Sequence, residues 1–164
     1  MIWLLATVLG VVWLWNSGMQ IGSNFTLDEF TRSATADRLG IDNTPNATQV
    51  ANLKALVANV LQPLRDAVGA PVRITSGFRS DALNKAVDGS NQSQHVRGEA
   101  ADFKVDGMAS SEVADLVQEL GIDFDQLIVY APSRGGHVHV SYTTRRANRR
   151  ERLFAPAMGG YRAA

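Results

Sequence analysis

From Ala47 onward, apolar residues recur at steps of three and four: Val50, Leu53, Val57, Val60, Leu61, Leu64 and Val68. That period predicts one amphipathic helix. Pro63 lies inside it and predicts a kink, because proline lacks an N–H and its ring crowds the preceding turn; Gly69 predicts its end. A second such set, Val113, Leu116, Val117 and Leu120, follows Ser110 and Glu112 and predicts a helix from Ser110 to Leu120. Shorter apolar runs read as strands: Pro71 to Thr75, Ala101 to Val105, Gln126 to Tyr130 and His137 to Tyr142. Thr26-x-x-Glu29 is a capping-box pattern that opens a short helix, and Asp81 to Val87 reads as another. Helices first, then helices mixed with short antiparallel strands, predict an α+β fold with a small antiparallel sheet packed against helices.

One stretch departs from this alternation. Ile2 to Trp15 is apolar apart from Thr7 and Gly10 and contains all three tryptophans. As an N-terminal apolar helix it would span about 21 Å, short of a ~30 Å hydrocarbon core. No basic residue precedes it and no Ala-x-Ala-like site follows, which ranks a cleaved signal last. A membrane anchor and a helix docked on a partner, such as a virion or tail protein, remain level. Asn16 to Asn24 reads as a polar linker.

Composition narrows the chemistry. The chain has 164 residues, enough for one domain with a core, and sixteen basic residues balance sixteen acidic ones. Zero formal charge gives no general attraction to nucleic acid. There is no cysteine, so disulfides and thiolate metal sites are excluded, and a metal must be held by nitrogen and oxygen. Between Thr144 and Arg152 lie five arginines. They read either as the solvated face of a terminal helix, the favoured reading, or as a contact to phosphate or an anionic polymer.

The chain's histidines sit in two stretches: Ser93-Gln94-His95-Val96-Arg97-Gly98-Glu99-Ala100-Ala101-Asp102-Phe103 and Gly136-His137-Val138-His139-Val140-Ser141. His95 and Asp102 are spaced for a turn followed by a strand, so both side chains can reach one point. With a second histidine they would make a three-ligand zinc site with an open position for water. Spacing alone leaves this level with the plainer reading, a histidine pair on a strand surface and one satisfied polar histidine.

Resemblance shifts that balance. Ser-x-His-x6-Asp followed by a strand carrying His-Val-Ser resembles the zinc D-alanyl-D-alanine carboxypeptidases and their phage endopeptidase relatives, the LAS metallopeptidases. Ile74 to Ser80 with Leu83-Asn84, Phe124 to Ile128 and His139 to Tyr142 are similar to further segments of that family, and the likeness runs roughly from Phe25 to Phe154. The resemblance implies zinc ligands His95, Asp102 and His139. It also implies an Arg79 near the site, on an oxyanion or a substrate carboxylate, with Ser93 and Gln94 contacting substrate or orienting ligands. Many relatives carry Asp or Glu three residues before the last histidine ligand; here that position is Gly136, which leaves neighbouring His137 as base, as acid or as an alternative ligand, with Tyr130 and Glu99 behind it as bases. The expected organisation is an apolar segment and linker (1–22), a zinc peptidase-like domain (23–155) and a C-terminal tail (156–164). The expected function is zinc-dependent hydrolysis of peptidoglycan stem peptides by a phage-encoded protein of the virion or bacterial envelope. The alternative is a virion protein that keeps the fold to grip cell wall.

Overall fold

A computed structural model of the chain describes residues 18–164. The Ile2 to Trp15 segment, and with it the expected N-terminal helix, lies outside the described residues. Gln20–Gly22 (β1) and Phe25–Thr26 (β2) form a small hairpin inside the stretch read as a linker, and Ile21 is buried in the core. The Glu29 carboxylate accepts from the N–H and the hydroxyl of Thr26, both at 3.0 Å, and so starts α1 (Leu27–Thr31) as the sequence pattern predicts. A short helix with no forecast, α2 (Ala34–Leu39), follows, capped by Ser33 and closed by left-handed Gly40.

The long amphipathic stretch folds as α3 (Ala47–Leu56), a π turn at Val57–Leu61 and α4 (Gln62–Val68). Pro63 explains the interruption. Its ring would collide with the carbonyl four residues back, and the chain widens instead, with the Gln62 N–H reaching Val57 O five residues back. Gly69 ends α4 in the left-handed region. Leu53, Leu56, Val57, Val60, Leu61 and Leu64 are all fully buried, each contributing roughly 1.5–3 kcal/mol by removal from water.

The remaining elements are β3 (Val72–Ser76), α5 (Asp81–Ala86), a 3₁₀ turn at Gln94–Arg97, β4 (Ala100–Val105), α6 (Ser110–Glu119), β5 (Gln126–Tyr130), β6 (Val138–Ser141), β7 (Glu151–Ala155) and β8 (Arg162–Ala163). They build one six-stranded sheet in the order β3-β4-β6-β5-β7-β8. The sheet is mixed, not purely antiparallel: β5 and β7 run parallel. Ser141, the end of β6, lies opposite Gln126 at the start of β5, and Glu151 also lies beside Gln126. The chain therefore turns back at the end where β5 begins, so β7 must run the same way as β5. The arginine-rich stretch is accordingly not a terminal helix; it is this return loop and the start of β7. Part of the expected tail is strand β8, paired with β7. Among the described residues no helix is long and apolar enough to cross a membrane.

Candidate metal centre

Antiparallel β4 and β6 place Asp102 directly opposite His139. Residues paired this way project from the same face of a sheet, so the register alone brings carboxylate and imidazole together. His95 comes from the 3₁₀ turn leading into β4. Two side chains of α3 hold that turn: Gln49 Nε2 donates to Val96 O (3.0 Å) and Asn52 Nδ2 to Arg97 O (2.8 Å). Gly98 closes it at φ 70°, where an added Cβ would stand 2.6 Å from Gln49 O. Only glycine satisfies both the backbone angle and the space.

The three side chains form a buried group, with one ligand atom of each within 4.8 Å of the others. His95 Nε2 lies 3.3 Å, and His139 Nδ1 2.8 Å, from Asp102 Oδ1. Ligand atoms on tetrahedral zinc with ~2.1 Å bonds stand roughly 3.4 Å apart; the His95 spacing and the N₂O donor set fit that ion, while the shorter His139 spacing is that of a hydrogen bond, which would open on binding. His95 Nδ1 donates to Gly77 O at 2.7 Å, which leaves the Nε2 lone pair for the centre. The two nitrogens of His139 face Asp102 Oδ1 and, at 3.5 Å, Gln94 Oε1. Gln94 is itself oriented, because its Nε2 donates to Asp125 Oδ2 at 2.8 Å. A proton on Nε2, toward Gln94, would leave Nδ1 for a metal, whereas a proton on Nδ1 is donated to Asp102.

Charge states suit a cation. Burial pushes the His95 pKa down and outweighs the opposing pull of Asp102, so the ring is neutral near pH 7. Burial works against the Asp102 carboxylate, but His95 and His139 more than offset it and hold its pKa well below the usual carboxylate range. A neutral imidazole beside an ionised carboxylate is the state in which metals are bound.

The chain belongs to the Peptidase M15 family. The model for that family, the zinc D-Ala-D-Ala carboxypeptidase-like peptidases, matches residues 23–141, more than half of the chain. Among curated proteins none matches. For an M15 peptidase, a His-Asp-His group of this kind is a candidate zinc site at the foot of a cleft of about 770 Å³.

Arg79, Ser93 and Gln94 line this cleft. Arg79 Nη2 donates to Asp102 Oδ2 (3.1 Å) and to Ser76 Oγ (2.9 Å), so it pairs with the metal centre's own carboxylate. Ser93 is held by its N–H to Ser90 O. His137 stands apart from the triad: no hydrogen bond joins them, and its half-buried ring stacks on Tyr130 at 4.2 Å between centroids. Burial lowers its pKa despite the attraction of Asp102. Tyr130 lines the cleft and shares a 3.1 Å hydrogen bond with Tyr161, while burial pushes its phenol pKa up, so it stays protonated. Glu99 lies outside the cleft, buried, with both oxygens taken by Thr143, Arg97 and Arg145.

Sequence reasoning missed Asp125 and its arginines. Asp125 is fully buried and accepts from Arg146, Arg149 and Gln94. Its signal is weak: a lone acid before a strand and a basic run some twenty residues later meet only once the parallel β5–β7 pairing is known.

Proposed function

We propose that this M15 peptidase is a zinc-dependent peptidoglycan peptidase that hydrolyses an amide bond in stem peptides, either at a D-Ala-D-Ala end or internally. The observation that carries the reading is the buried His95-Asp102-His139 group opening onto a cleft shared with Arg79. Zinc held by these residues would polarise a scissile carbonyl and lower the pKa of a water. The side chains do the rest. Asp102 keeps its second oxygen on Arg79, so the guanidinium is fixed at the cleft floor, where it can meet a developing oxyanion or a substrate carboxylate. Gln94, fixed by Asp125, sets the orientation of His139. We assign proton acceptance to His137, which by strand alternation shares the sheet face of His139, and proton donation to Tyr130. A phage-encoded protein acting in the virion or at the bacterial envelope, with residues before the hairpin as its anchor or docking segment, completes this proposal.

Digestion of purified muropeptides with and without a chelator tests it: cleavage that chelation abolishes and zinc restores is expected. His137→Ala should retain zinc and lose most cleavage; undiminished cleavage would take the base role away from His137. One observation favours a second reading. Gly136 carries no side chain, and the carboxylates lining the cleft are Asp88 and Asp102, the latter in the metal centre. A protein that grips stem peptides without cutting them would show muropeptide binding and no product.

A further inference from the structure

Six arginines line the cleft: Arg79, Arg97, Arg134, Arg145, Arg146 and Arg149. On a chain with zero net charge this is a strong concentration of one sign. Four of them are mounted in pairs on buried carboxylates. Arg97 and Arg145 both bind Glu99, and Arg146 and Arg149 both bind Asp125. The carboxylates are 1% and 0% exposed, whereas the four arginine side chains are 37–53% exposed. Their acceptor oxygens are thus turned into the protein, and the guanidinium groups face water. One arginine neutralises one carboxylate, so each pair leaves a surplus positive charge, which Glu151, 3.3 Å from Arg149, only partly offsets. Among the described residues Arg97 Nη2 and Arg145 Nη1 carry no hydrogen bond, so donors remain unused. Three of the four, Arg145, Arg146 and Arg149, lie beyond the stretch matched to the family, in the return loop between β6 and β7.

We propose that this wall is a subsite for a free carboxylate of the substrate away from the scissile bond, such as the α-carboxylate left by a γ-linked glutamate in a stem peptide. This rests on the peptidase reading for the identity of the peptide. The guanidinium fork matches a carboxylate in two parallel hydrogen bonds, and here the arginines are held in place before the ligand arrives. The wall therefore selects the acidic form of the stem peptide over the form in which that carboxylate is amidated.

The test compares two stem pentapeptides that differ only in carboxylate or carboxamide at the γ-linked residue, with binding to the zinc-loaded full chain measured by calorimetry. The carboxylate peptide should bind about tenfold more tightly, a preference that shrinks with added salt. In the Arg97→Gln/Arg146→Gln double variant each buried carboxylate keeps its other arginine, and the preference should fall to within about twofold at unchanged zinc content. The Arg97→Lys/Arg146→Lys variant, which keeps the charge but loses the fork, should restore only part of it. Equal binding of the two peptides by the wild-type chain overturns the subsite, and that comparison needs no variant to fold. Tighter binding of a glycerol-phosphate oligomer than of either peptide, lost in the Gln double variant, also overturns it and gives the wall to a phosphate polymer. The two readings fail separately: a carboxylate preference without cleavage keeps the subsite and sinks the peptidase, whereas cleavage of both peptides with equal affinity does the reverse.

Discussion

Asp102 joins the three side chains around the candidate site: Arg79, His95 and His139. It faces both histidines with one oxygen and Arg79 with the other, in a largely buried position at the cleft floor. A buried anion of this kind is tolerated only while it is paired, and at the centre of the group it would supply the one negative charge among the three candidate ligands. Asp102→Asn keeps the shape and removes that charge; zinc measured by metal analysis should fall from about one per chain to a small fraction. His95→Ala should do the same, and full zinc in either variant would remove these residues from the ligand set. Arg79→Ala should lower turnover on the order of 10²-fold at saturating zinc, if its guanidinium meets an oxyanion. Because Arg79 also binds Asp102, weaker zinc affinity should accompany the loss, by about 10-fold or more in a chelator titration. Unchanged turnover would leave Arg79 a structural partner of Asp102 alone.

The first histidine reaches the centre only because a short element is bent correctly. Gly98→Ala combines a left-handed backbone angle with a Cβ 2.6 Å from the Gln49 carbonyl. We expect a loss of about 2 kcal/mol or more in denaturant unfolding, with zinc binding weakened at the same time because His95 moves with the turn. Retention of both would show that α3 gives way easily. Elements whose cause is local were legible in the sequence. The Thr26–Glu29 pair, the Gly69 stop and the strand Gln126–Tyr130 stand where residue patterns place them. The kink forecast at Pro63 became a π turn one step earlier, since the clash falls on the residues before proline. The arginine run misled for a non-local reason. A basic stretch looks solvated until its buried carboxylate partners, far back in the chain, are brought beside it by a parallel strand pairing.

At the scale of the whole molecule, β7 extends the sheet beyond β5 and the return loop before it covers two buried carboxylates. Burial disfavours the charge on Asp125 and on Glu99. Hydrogen bonds from Arg149 and Arg146 on the first, and from Arg145 and Arg97 on the second, outweigh that cost and lower both pKa values. A folded-state pKa below the unfolded one adds stability above the unfolded value, about 4, and that stability is lost as pH falls below it. The thermal midpoint should therefore drop as pH goes from 5 to 3. Asp125→Asn should cost about 2 kcal/mol at pH 7, less than for a fully buried pair because its arginines are half in water, and the gap to wild type should narrow toward pH 3. A gap that stays constant across that range would exclude Asp125 as a source of the acid sensitivity. The same loop has a consequence for biosynthesis. All three triad residues and the whole family-matched stretch leave the ribosome before Arg145, Arg146 and Arg149 do. Until those follow, Asp125 has no guanidinium and Glu99 has only Arg97, so the nascent sheet must either keep both acids in water or stay open. The metal centre is thus finished late in the order of synthesis, and a product cut short after Ser141 would hold every triad residue yet lack the cations that let its core close.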